Sequence, residues 1–307
     1  MGASVNDRPV NVGLVGAGPW ASILHAPVWT GGPEATLSAI WARRPEAASE
    51  LAAEYGTEAV PSFEALLERS DAVAFAVPPQ VQWELAVRAA RAGKHLILEK
   101  PIADSLDHAR ELASAVDESG VGSMVMFTSR FDPGVRTFLE KAQAFDTVGA
   151  RGAVITPAFL RGPFSNSPWR HERGALVDVG PHILDMLTAA LGPAARIGAR
   201  STDRGWFGLH VDHASGAASD VTLSCRIGLE RGRFEVELFG PEGALALAAE
   251  TRDEAAMRAT MRTELAGIVQ GQTHPCDARR GLYIQALVDA AERSLGDGSV
   301  PVAPAEP

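Results

Sequence analysis

One turn constrains this chain more than any other feature. Gly16-Ala17-Gly18-Pro19-Trp20-Ala21 follows the apolar run Val10-Asn11-Val12-Gly13-Leu14-Val15 and opens a helical pattern, so the spacing is G-x-G-x-x-A. In a strand–turn–helix unit the first glycine permits a tight turn. The second lets backbone approach a pyrophosphate, and the small third residue lets helix and strand pack closely. The helix start then offers N–H groups to phosphate, and Pro19 gives up only an N–H that has no helix partner. The plain alternative is an ordinary strand-to-helix turn. Its position, after a buried strand and inside a βαβ pattern, favours a dinucleotide site built on Gly16, Ala17, Gly18, Pro19 and Trp20.

The rest of the first half keeps that rhythm. Apolar runs at 36–41, 71–77, 95–99 and 121–127 read as strands. Segments 45–55, 62–69, 81–92 and 105–118 read as helices, and 19–25 as a short helix ended ahead of Pro27. Strands alternating with helices mean a parallel sheet covered on both faces. The expected fold class is α/β: an N-terminal doubly wound Rossmann domain over 1–127, then an α+β domain over 128–307 with a mostly antiparallel open sheet. In that second part a helix at 133–144 precedes a strand at 153–160, a polar Pro/Gly-rich loop at 161–173 and a helix at 181–191. β-type runs separated by turns fill 197–247, helices 253–270 and 278–295 follow, and the Pro-rich tail after Gly296 is expected to be partly disordered.

Composition excludes several classes. The 307 residues carry a net charge of -10 and no Lys/Arg-rich run, so duplex nucleic acid and anionic membranes are poor partners. No apolar run approaches the roughly 18 residues of a membrane helix. Residues 1–9 lack a signal-peptide pattern, which makes the cytoplasm the expected compartment. The two cysteines, Cys225 and Cys276, imply no disulfide framework and no metal spacing.

The ribose of a bound dinucleotide is read about 20 residues beyond the glycine turn, where Asp or Glu favours NAD. Here the sequence is Ile40-Trp41-Ala42-Arg43-Arg44. Ala42 takes the place of the acid, and Arg43 and Arg44 suit a 2′-phosphate, so NADP is expected, with NAD possible. The plain alternative is a pair of solvated charges at a helix start. Ligands in open parallel sheets bind at the carboxyl ends of strands, which adds Val77, Pro78, Pro79, Glu99 and Lys100 to the cofactor side.

Two constellations carry candidate chemistry. Leu96-Ile97-Leu98-Glu99-Lys100-Pro101 puts Lys100 at a strand end, where it can donate to a substrate oxygen; alternation sends Glu99 to the opposite face. In Asp178-Val179-Gly180-Pro181-His182-Ile183-Leu184-Asp185, Asp178 and His182 are four apart, on one face if the helix has begun by Asp178. Histidine is the natural acid/base near neutrality, and a carboxylate can orient it. A capping Asp and a packed His is the plain alternative. Trp169 and Arg170 either line a substrate pocket or cover a core edge. Trp20 and Trp41 either stack on adenine or pack in the core, and His25 caps or packs a helix end. His210, Asp212 and His213 read as a solvated hairpin, and no metal site is expected.

On these motifs, together with Ala92-Gly93-Lys94-His95 and Arg130-Phe131-Asp132-Pro133, the chain resembles the Gfo/Idh/MocA oxidoreductases along nearly its whole length. The resemblance implies that Lys100, Asp178 and His182 are catalytic. His182 would take a hydroxyl proton, Asp178 would orient it, and Lys100 would hydrogen-bond the same oxygen while hydride passes to nicotinamide. It further implies a sugar, cyclitol or related polyol as substrate, and a homo-oligomer, dimer or tetramer, formed through the open sheet. The same fold also serves transient oxidation on a tightly held cofactor, or dinucleotide sensing without catalysis. Two departures stand out. Gln82, in Pro78-Pro79-Gln80-Val81-Gln82-Trp83, occupies the place of a family histidine, and Phe127-Thr128 replaces a Tyr-Asn pair.

Overall fold

The computed structural model describes residues 8–247 and 253–306, so the signal-peptide question at residues 1–7 lies outside the described residues. The chain divides into two compact units. Unit 1 holds Met1–Met126 and Glu254–Leu282; unit 2 holds Phe127–Asp253 and Tyr283–Pro307.

Unit 1 is built on a five-stranded sheet in the order β2-β1-β3-β4-β5, with β1 Val10–Val15, β2 Ala35–Trp41, β3 Ala72–Phe75, β4 His95–Leu98 and β5 Ser123–Val125. Every pairing is parallel. The strands are short and almost wholly apolar because helices cover both faces; β3 is Ala-Val-Ala-Phe, buried throughout. The chain leaves β1 for β2 on one side and returns to β3 on the other, so a crevice opens at the carboxyl ends of β1 and β3. Helices α2 Pro45–Glu54, α3 Phe63–Glu68, α4 Pro79–Arg91 and α5 Leu106–Ser119 make the connections. Ser62 and Ser105 accept hydrogen bonds from Ala65 N–H and His108 N–H, capping α3 and α5.

The first helical segment differs from expectation. It does not stop ahead of Pro27: a π-helical turn, Ala21–His25, runs into α1, Ala26–Thr30. Proline lacks an N–H and its ring clashes with the carbonyl four residues back in α-helical spacing. The wider turn, closed by Ala26 N–H on Ala21 O, relieves that clash. The Ser22 carbonyl, which Pro27 cannot serve in π spacing, accepts instead from the Tyr55 hydroxyl at 3.3 Å.

The domain boundary read from sequence order also needs correction. Residues 254–282 group with unit 1, since helix α9, Glu254–Val269, packs on α1, β1 and β2. Its Arg262 donates to Glu34 at 3.2 Å and to the Val28 carbonyl at 3.2 Å. Past α9, Val125 N–H bonds Cys276 O at 2.6 Å. Apolar packing and these long-range bonds outweigh chain order.

Unit 2 has a six-stranded sheet in the order β11-β10-β6-β9-β8-β7. The strands are β6 Gly149–Ile155, β7 Ala194–Ser201, β8 Phe207–His213, β9 Ala218–Ser224, β10 Arg233–Gly240 and β11 Gly243–Ala246. Only β6 and β9 pair in parallel, which matches a mostly antiparallel sheet. Helix α6, Pro133–Ala144, and helix α8, Gly180–Leu191, pack together, and α8 lies on β6 and β9. Arg151, His210, Asp220 and Glu235 are exposed strand residues.

The 161–173 stretch, read as loop, is partly helical: α7 spans Pro168–Asp178, interrupted at Gly174 with φ 73° and ψ −175°, a backbone state that suits only glycine. Together α7 and α8 make a stretch, Pro168–Leu191, long and apolar enough by composition to cross a membrane, contrary to the sequence expectation; it is mostly buried, as a core helix is. The tail is also more ordered than expected. Val302 exchanges two backbone hydrogen bonds with Ile197, at 2.8 and 2.9 Å, covering the edge of β7. His213 is buried rather than solvated, bonded to Gly192 O at 3.1 Å and Ser219 Oγ at 2.9 Å.

Candidate functional site

In unit 1 the glycine turn is fixed by its neighbours. Gly16 has φ +111°, and a Cβ there would lie 2.5 Å from Ala76 O and 3.1 Å from Val77 Cγ1. Gly16 N–H bonds Trp41 O and Ala76 N–H bonds Val15 O, each at 2.8 Å, so the ends of β1, β2 and β3 are stitched into one ledge. Gly18 is the reverse case. A Cβ there would meet nothing within 4 Å, so internal packing does not demand glycine and the backbone face stays approachable. Val77 and Pro78 are half-buried beside this turn, and Pro79 is buried at the start of α4.

Ala42 is half-buried, and Arg43 and Arg44 are exposed at the end of β2. Neither arginine pairs with a carboxylate among the described residues. A small residue at the ribose position, two uncommitted guanidinium groups and an approachable glycine fit a dinucleotide. Trp41 packs on Phe63 with ring centroids 5.7 Å apart.

At the end of β4, Glu99 and Lys100 separate as alternation requires: Glu99 is buried and Lys100 half-exposed. The Lys100–Pro101 peptide is cis. Gln82, fully buried on α4, braces this corner from one side. Its Nε2 donates to the carbonyls of Glu99 (2.7 Å), Ile102 (3.0 Å) and Pro101 (3.3 Å), and its Oε1 accepts from Glu99 N–H at 2.8 Å. The departure noticed in the sequence is therefore a structural clamp. From the other side the Glu99 carboxylate accepts from Trp20 Nε1 at 2.5 Å and meets His25 Nε2 at 3.0 Å. His25 is fully buried, so it does more than close a helix end. No sequence signal joins positions 25 and 99.

In unit 2 the Asp178–His182 segment does not form one regular helix. Asp178 ends α7, Val179 sits at φ −112° and ψ −18°, and α8 starts at Gly180 with Pro181 in its first turn. His182 is half-exposed, its ring edge-on to Phe127 at 6.4 Å between centroids. Asp178 is buried and accepts from Arg170 Nε at 3.1 Å. Arg170 in turn lies over Phe164 and Trp169, 4.5 and 4.6 Å from their centroids. Arg170, read as a substrate contact, is thus already engaged with Asp178, and half-buried Trp169 covers it. Asp185, 1% exposed, accepts from Arg130 Nη1 at 3.2 and 3.3 Å, which joins the two second-half motifs into one structural pair. Asp132 caps α6 through Gly134 and Val135 N–H.

Residues 10–127 match the oxidoreductase family with an NAD-binding Rossmann fold, Gfo/Idh/MocA. That match covers the N-terminal, Rossmann part of the chain. A levoglucosan dehydrogenase of Pseudarthrobacter phenanthrenivorans is 28% identical over 208 residues, 62% of this chain and 53% of that protein, so the match spans about half of that relative. A dTDP-3,4-didehydro-2,6-dideoxy-alpha-D-glucose 3-reductase of Streptomyces violaceoruber is 28% identical over 315 residues, 95% of this chain and 88% of that one. Among proteins of known structure, GenD2 from gentamicin A biosynthesis, in complex with NAD, aligns with TM-score 0.85 and 22% identity over 100% of this chain and 99% of its own. At that identity the likeness is one of fold.

Proposed function

We propose that this protein is a nicotinamide-dependent dehydrogenase or reductase acting on a hydroxyl or keto group of a sugar, cyclitol or related polyol, with NADP as its preferred cofactor. The observation that carries the reading is Lys100, half-exposed at the carboxyl end of β4 on a corner braced by Gln82, in the same unit as the glycine turn. The nicotinamide, when bound, supplies the hydride acceptor or donor.

The protein's own groups do the rest. Gly16, Ala17 and Gly18 hold the pyrophosphate by backbone. Arg43 and Arg44 favour a 2′-phosphate through charge-assisted hydrogen bonds. The Lys100 ammonium donates to the substrate oxygen and stabilises alkoxide charge. His182 accepts the hydroxyl proton in oxidation and returns it in reduction, and Asp178 orients that imidazole. A cytoplasmic homo-oligomer, dimer or tetramer, completes the reading; sedimentation velocity tests the assembly.

The deciding experiment is a panel of polyols and keto-sugars with NADP(H) and NAD(H), followed by absorbance of reduced cofactor, on wild type, Lys100→Ala and His182→Ala. Turnover in wild type that falls about 10²–10⁴-fold in the His182 variant is expected for a lost general base. Near-normal turnover in both variants would remove these residues from the chemistry. Cofactor that survives dialysis with no net change in its absorbance during substrate conversion would turn the reading to transient oxidation. Absence of both turnover and nucleotide binding would sink the reading outright.

A further inference from the structure

The reading of Lys100 leaves one buried ionisable pair without a task. Glu99 Oε1 accepts from the indole N–H of Trp20 at 2.5 Å and faces His25 Nε2 at 3.0 Å. Glu99 Oε2 lies 3.3 Å from the backbone N–H of Lys100, which donates to it. His25 Nδ1 lies 3.4 Å from Trp29 Nε1. An indole nitrogen can only donate, so His25 Nδ1 accepts, Nε2 carries the hydrogen, and the imidazole donates to Glu99. His25 and Trp29 are both fully buried.

The connectivity is unusual for a packing contact. Trp20 stands two residues after Gly18, and His25 lies on the helical segment which that turn opens. Their two donors converge on one carboxylate oxygen, while the other oxygen holds the backbone of the next residue, Lys100. A buried carboxylate is tolerated when its lone pairs are filled; here the donors come from the glycine-turn helix and from the lysine's own main chain. Gln82 fixes the same corner from α4. The root of Lys100 is thereby held in register with the turn that takes the pyrophosphate.

Resting on the proposed role of Lys100, we infer that His25 is a positioning residue: it acts through Glu99 to set Lys100 relative to the glycine turn. His25 is fully buried in the structure, so any effect of its substitution passes through its neighbours. Misplacement of a catalytic group by about 1 Å can cost roughly 10²-fold in rate.

The test compares His25→Leu, which fills space but cannot donate, with His25→Gln, whose amide can restore a donor to Glu99. The expected result is a kcat about 10- to 100-fold lower in His25→Leu, recovering to within about 3-fold of wild type in His25→Gln. The dissociation constant for NADPH, read by its fluorescence, should stay within about 3-fold, because the Gly16–Gly18 backbone is unaltered. Wild-type kcat in His25→Leu overturns the inference. So does an equal fall in both variants, which would mark a packing role, or a loss of NADPH affinity as large as the loss of kcat, which would place the fault in the turn. Should His25→Leu not fold, Glu99→Gln serves instead, since its amide must present hydrogens to one set of donors; wild-type kcat there also overturns it. Nitrogen chemical shifts of His25 in the wild-type protein give a readout free of turnover. They should report the Nε2-protonated tautomer, and the Nδ1-protonated form rejects the network even if the enzyme is active. An inactive wild type showing the expected tautomer would count against the proposed function alone.

Discussion

Arg170 Nε sits 3.1 Å from Oδ1 of Asp178, and the guanidinium spans the faces of Phe164 and Trp169. The side chains are 19% and 8% exposed, so the ion pair is largely shielded from water. The cation neutralises a carboxylate that is otherwise costly to bury, and the aromatic faces hold the cation in place.

Arg170→Leu should therefore lower unfolding stability by about 3 kcal/mol, because it removes the cation that neutralises the buried Asp178 carboxylate. Arg170→Lys should recover part of the loss, since an ammonium lacks the planar fork and stacks less well. Urea denaturation at neutral pH checks both. An Arg170→Leu protein as stable as wild type would show that this ion pair is not what makes burial of Asp178 tolerable.

Gly16 and Gly18 should separate folding from binding. Gly16→Ala forces a Cβ into Ala76 O at positive φ and should cost about 2 kcal/mol or more of stability. Gly18→Ala meets nothing within 4 Å and should fold with a normal thermal midpoint, yet bind NADPH at least about 10-fold more weakly if backbone approach matters. Equal NADPH affinity in Gly18→Ala would argue that the pyrophosphate lies elsewhere.

The proposed preference for NADP rests on Arg43 and Arg44. Replacing both by Ser should cut kcat/KM with NADPH by about 10-fold or more while leaving NADH within about 3-fold, given the strength of charge-assisted phosphate contacts. Stability should hold, because both are exposed. An unchanged ratio would return the pair to the status of solvated helix-start charges.

Much of the first unit was legible because its signals are local. β1, the glycine turn and the helices read at 62–69 and 105–118 each depend on a few adjacent residues. What escaped was set by tertiary partners. The π turn before Pro27 depends on a wider helical spacing and on Tyr55 from α2. The return of α9 to unit 1 depends on packing far along the chain. At the site, the sequence singled out Glu99, Lys100, Asp178 and His182. It could not show that Gln82 and His25 converge on Glu99, that Arg170 serves Asp178, or that Arg130 and Asp185 belong to one pair. Each of those relations joins side chains whose partner is fixed only after the backbone is folded.

Two histidines of the second sheet should pull stability in opposite directions with pH. Burial pushes the His213 imidazole below its ordinary value, against the smaller pull of Gly192 O and Asp212. Its folded form resists protonation, so the unfolded chain binds the proton first. The stability it contributes is present above the unfolded value near 6.5, and it is lost as pH falls from there through the lower folded value. The His210 imidazole is shifted upward, chiefly by its hydrogen bond to Asp220 at 2.8 Å. Its contribution is complete below the unfolded value and is lost as pH rises through the folded one. Urea unfolding at a series of pH values between about 5 and 8 reads both slopes. His213→Gln should flatten the loss of stability on acidification relative to wild type, and His210→Gln should steepen it. Raised salt should shrink the His210 effect, since that pair is exposed, and leave the His213 effect in place. Slopes that move together in the two variants would mean that neither imidazole titrates as its surroundings require.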